Sequence, residues 1–76
     1  MSKQTWRSPD LRFTVTRQDH DDLYWQFTIF DQIRDQTKSD IVAAYGYIQP
    51  HYDDKRIEEI WQYQEWLERQ YQKVLA

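Results

Sequence analysis

The apolar residues of this 76-residue chain change their spacing once, and that change restricts the fold more than any other feature. In two runs between Leu11 and Ile29 they recur at every second position; from Ile57 to Val74 they recur every third or fourth. A period of two lines one face of a strand, and a period near 3.6 lines one face of a helix. Leu11, Phe13 and Val15 alternate with Arg12, Thr14 and Thr16, and Leu23, Trp25, Phe27 and Ile29 alternate with Tyr24, Gln26, Thr28 and Phe30. The stretch between them, Arg17 to Asp22, is polar and of hairpin length, so a β-hairpin is predicted over 11–31.

The second periodic segment follows a break at Gln49-Pro50-His51-Tyr52, with Asp53 or Asp54 placed to cap what comes next. Over 53–75, Ile57, Ile60, Trp61, Leu67, Tyr71, Val74 and Leu75 share one broad face, with Tyr63 at its margin. Asp53, Asp54, Glu58 and Glu59 come early and Arg69 and Lys73 late, matching the partial charges at the two ends of a helix. Residues 1–10 are polar apart from Trp6, end in the breakers Ser8-Pro9-Asp10, and read as an N-terminal arm. Asp31 to Asp40 reads as a turn, or a strand end and a turn. The run Ile41 to Ile48 admits a strand, favoured by its valine, isoleucines and tyrosines. It also admits a short helix capped by Ser39 or Asp40 and ended by Gly46. The strand is preferred, because a two-stranded hairpin alone is marginal in water. The expected architecture is a small two-layer α+β domain spanning 1–76. An antiparallel sheet of two to three strands packs against one long C-terminal helix, in the order βββα. Leu11, Phe13, Val15, Trp25, Phe27 and Ile29 would pack on Ile57, Ile60, Leu67, Tyr71 and Val74.

Composition narrows the function. Ten basic against thirteen acidic residues give a net charge of −3, which argues against a protein built to grip duplex nucleic acid or an anionic membrane. The absence of cysteine excludes disulfides, a thiolate nucleophile and a cysteine-based zinc site. No apolar run is long enough to span a bilayer, and the first ten residues lack the apolar core of a signal peptide, so a cytoplasmic protein is expected. Gly46 is the only glycine, which leaves no phosphate-cradling loop, and the serines sit outside any nucleophile-elbow pattern. The paired carboxylates lie in segments expected to be wet, where nothing tunes them for acid–base work. The chain is therefore read as a non-enzyme needing no cofactor. Asp19-His20-Asp21-Asp22 and His51 with Asp53 and Asp54 gather potential ligands, but without the spacing of a calcium loop they read as a solvated turn and a helix cap, not a metal site.

What remains is a surplus of rings. Four tryptophans, six tyrosines and three phenylalanines exceed what so short a chain easily buries, although the mean hydropathy is −1.05. Trp66 projects more than about 100° from the centre of the apolar helix face, among polar residues, and Tyr63 leans the same way. Both are residue types enriched where binding energy concentrates. The sequence thus predicts a non-catalytic protein-interaction module. It would be a small regulator, inhibitor or accessory subunit docking on a larger protein or on a second copy of itself. Trp66, Tyr63 and the acidic helix, Glu59 included, would make the contact, with Tyr24 and Phe30 on the outer sheet face as a further surface. Those two rings also suit the alternative reading, stacking of single-stranded nucleic acid, but only Arg12, Arg17 and Arg34 lie near to supply charge.

Overall fold

A computed structural model describes residues 3–20, 25–41 and 48–75, and among them the chain forms four antiparallel strands and one helix. The strands β1 (Lys3–Arg7), β2 (Phe13–Asp19), β3 (Trp25–Asp31) and β4 (Gln36–Ser39) lie in the sheet in chain order, and α1 covers Asp54–Leu75. The α+β plan of a sheet under a C-terminal helix is the expected one. Among the described residues the sheet has four strands rather than two to three, because two polar segments pair beside the hairpin. The third strand expected over 41–48 falls on residues 42–47, outside the described residues; Ile41 and Ile48 at either end are both buried.

The hairpin of β2 and β3 is the spine, with Val15 opposite Ile29 and Asp19 opposite Trp25. The N-terminal arm adds to it as β1, setting Trp6 opposite Val15 and Thr5 opposite Thr16. Its turn is built from the breaker cluster. The Leu11 N–H donates to the Ser8 carbonyl at 2.8 Å, and the buried Ser8 side chain accepts the Phe13 N–H at 3.0 Å. Leu11 closes the turn at φ 62°, a left-handed position that a bulky side chain adopts at a cost. At the other edge β4 follows a four-residue turn closed by Asp35 at φ 53°, where an aspartate is tolerated. The Asp31 carboxylate starts that turn by accepting the Ile33 N–H at 3.0 Å.

Both edge strands escaped the hydrophobic pattern because they are edges. β4 turns Lys38 inward, the device by which sheets discourage further pairing. The Lys38 ammonium lies 5.4 Å from the centre of the Trp61 ring and bonds Glu68 at 2.8 Å.

The core sits between the inner sheet face and the first two turns of α1. Phe13, Val15, Phe27 and Ile29 meet Ile57, Ile60 and Trp61, with Ile41 and Ile48 beside them and Trp6, Trp25 and Tyr52 half-buried at the rim. Asp53 caps the helix: its carboxylate accepts the Arg56 N–H at 2.9 Å and its carbonyl the Ile57 N–H at 3.1 Å. The expected inner face needs correcting at both ends. Leu11 is exposed at the turn, and Leu67, Tyr71 and Val74 are not core residues. The cause is length. Twenty-two helical residues span about 33 Å, whereas seven strand residues span about 24 Å, so the helix outruns the sheet.

Candidate functional site

Two groups of side chains stand out, and their chemistry differs. The first is ionic. Asp31, fully buried at the end of β3, accepts both Nε and Nη2 of Arg12 at 3.1 Å and the Nη1 of Arg34 from the β3–β4 turn. Both guanidiniums continue to Glu58 on α1: Arg12 Nη2 lies 3.0 Å from its carboxylate and Arg34 Nη1 2.7 Å. Gln62 donates to the same carboxylate at 2.9 Å. Burial by itself would raise the Asp31 carboxyl, but the hydrogen bonds from Arg12 and Arg34 and from backbone N–H groups outweigh it and hold it at about 2. Glu58 is held low mainly by its bonds to Arg34, and both arginines are held more firmly protonated, Arg34 by Glu58 and Arg12 by Asp31. Two carboxylates and two guanidiniums satisfy one another, with the Arg34 fork 5.3 Å over the Trp61 ring. This cluster clasps the sheet to the helix and has no charge left over for a ligand.

The second group is the part of α1 after its last buried residue, Trp61. The furthest hydrogen bond from sheet to helix among the described residues is Lys38 to Glu68. Within α1 only Ile57, Ile60 and Trp61 are buried. Trp66 is 47% exposed, Tyr63 and Leu67 37%, Tyr71 64% and Val74 81%. Tyr63 and Trp66 lean on each other with ring centres 5.8 Å apart. At 100° per residue the mean direction of Tyr63, Trp66, Leu67 and Val74 is turned by roughly 110° from that of Ile57, Ile60 and Trp61. The half of the helix after Trp61 therefore carries its own apolar stripe, aimed away from the core, and Glu59 lies on the same line one turn before Tyr63. Trp6 packs at the core rim, where its Nε1 is buried with no partner among the described residues.

The outer sheet face is different again. Register places Thr5, Thr16, Thr28 and Ser39 in one row across all four strands, and Arg7, Thr14, Phe30 and Thr37 in the next. Phe30 is on this face as expected, half-buried in a carpet of hydroxyls, while Tyr24 lies outside the described residues. The arginines expected to give the face its charge are engaged elsewhere. Arg17 points inward, over the Trp25 ring at 4.6 Å and bonded to Asp19 at 2.8 Å, and Arg12 and Arg34 belong to the ionic cluster. His20 bonds Gln26 at 2.9 Å and His51 packs edge-on against Tyr52, and among the described residues no group of three or more histidines and carboxylates is placed to hold a metal.

The structure thus brings Tyr63, Trp66 and Glu59 together on one helix face and leaves Phe30 on another surface. Leu67 and Val74 belong with Tyr63 and Trp66, and Tyr71 is exposed on the core side of the helix; the helical periodicity alone assigned all three to the core. The signal that separates them is the helix's length against that of the strands. Among the described residues no helix is long and apolar enough to cross a membrane. Comparison with family models, curated proteins and solved structures finds none that this chain matches.

Proposed function

We infer that this chain is a non-catalytic protein-interaction module, a small cytoplasmic regulator, inhibitor or accessory subunit. Its docking surface is the apolar side of the second half of α1. The observation that carries this reading is the helix that outruns its sheet while continuing to present large apolar side chains. A helical segment of 14 residues is marginal in water by itself, and exposed rings add nothing to the stability of the lone molecule. Such a stripe gains by covering, and tryptophan and tyrosine are the side chains that yield most when covered. The acidic residues flanking it, Glu59 among them, favour encounter with a basic protein surface.

The test pairs stability with association. Trp66→Ala and Tyr63→Ala should each shift thermal unfolding by no more than a few degrees, since surface substitutions cost on the order of 0.5 kcal/mol. The same variants should lose the partner that the unaltered chain retains in affinity purification from its host. A large loss of melting temperature with association unchanged overturns the reading.

A further inference from the structure

We propose that the occupant of the α1 stripe, in the absence of a larger target, is a second copy of this chain, paired antiparallel about a two-fold axis near Trp66. The proposal rests on the interaction reading above and names the partner. It follows from the charge carried at the two ends of the stripe. On the line of Tyr63, Trp66 and Gln70, Glu59 stands two turns before Trp66 and Lys73 two turns after it. Glu59 is 44% exposed and meets Arg56 of its own helix at a loose 3.4 Å, while Arg69 and Lys73 make no ion pair among the described residues. An antiparallel pair centred on Trp66 sets Glu59 of each copy against Lys73 of the other, and Tyr63 against Arg69. A parallel pair would set Glu59 against Glu59 and Lys73 against Lys73, and would bring both sheets to the same end. Like charges in register disfavour that arrangement.

Among the described residues, each sheet covers the first two turns of its own helix from a direction roughly 110° away from the stripe, which leaves that side of α1 to an incoming tail. The covered area also suits two copies. Taking aromatic side chains at ~150–250 Å², the exposed fractions of Tyr63, Trp66, Leu67 and Val74 come to about 380 Å² per copy. A two-fold pair removes about 750 Å² of apolar surface, with the Glu59 and Lys73 contacts at its ends, the size of a weak interface that forms only at high protein concentration.

Sedimentation equilibrium over low to high micromolar protein tests this with charge exchange. The unaltered chain should dimerise. Glu59→Lys and Lys73→Glu, each placing two like-charged pairs in the dimer, should weaken it about three- to tenfold. The doubly exchanged variant E59K/K73E should return to within about twofold of the original, because the pair is restored only in the antiparallel arrangement. Leu67→Glu should abolish the dimer while circular dichroism shows the fold retained. A chain that stays monomeric at high micromolar concentration overturns the second copy as occupant, and a dimer indifferent to both single exchanges, or one the double exchange does not rescue, overturns the antiparallel pairing. Retention of a host partner that depends on Trp66 and Tyr63 by a strictly monomeric chain would leave the interaction reading standing and remove only this proposal. Loss of both would remove both.

Discussion

Replacing Asp31 by asparagine tests how the sheet is clasped to the helix. The carboxylate is fully buried and lowered from 3.8 to about 2 by Arg12, Arg34 and backbone N–H groups. At ~1.36 kcal/mol per unit, that difference is worth roughly 2–3 kcal/mol of folding stability. Asparagine keeps the shape and can still accept the Ile33 N–H, but it leaves two guanidiniums with Glu58 as their one remaining anion in the cluster. Asp31→Asn should therefore lower stability near neutral pH by roughly 2–3 kcal/mol, or about 10–20 °C in melting temperature for a domain of this size. The sign with pH follows from the direction of the shift. A carboxyl lowered in the folded state stabilises fully above its unfolded value, and that stabilisation disappears as the pH falls through its folded value. The gap between the two proteins should be constant from pH 7 to about 5, shrink below about 4, and close near pH 2. Glu58 titrates in both, so to first order the gap isolates Asp31. Urea denaturation followed by tryptophan fluorescence across that range measures it. A gap below about 0.5 kcal/mol, or one that does not change with pH, would refute the assignment of the cluster as the clasp.

Two smaller substitutions probe the ends of the elements. Asp53→Ala removes the cap of α1 and should cost about 1 kcal/mol, with faster amide exchange at Arg56, whose N–H it leaves without that acceptor. Ser8→Ala strands the Phe13 N–H inside the β1–β2 turn and should cost roughly 1–3 kcal/mol in urea denaturation; a neutral result would show that the turn is held by its backbone bonds alone.

The fold was legible where the chain carries its own period. The alternation through Phe13, Val15, Phe27 and Ile29 specified the hairpin and its inner face, and Asp53 with Ile57, Ile60 and Trp61 specified the start of the helix and the side it buries. The edges were not legible. In Lys3–Arg7 and Gln36–Ser39 only Trp6 and Lys38 reach the core, so neither segment has an alternation to read. Both are held by backbone pairing to a neighbour already in place, a force that leaves little trace in the choice of side chains.

The candidate surface divides in the same way. That Trp66 stands off the core face was visible from its angle on the helix, which depends only on local geometry. That Leu67, Tyr71 and Val74 join it in water was invisible to the period, because the same spacing serves a helix lying on a sheet and one projecting past it. The sequence alone determined the two kinds of element, the polarity along α1 and the excess of rings. Tertiary structure alone decided where the sheet ends beneath the helix and which carboxylates the arginines reach. Both depend on distances between segments far apart in the chain, and a local pattern holds no record of those.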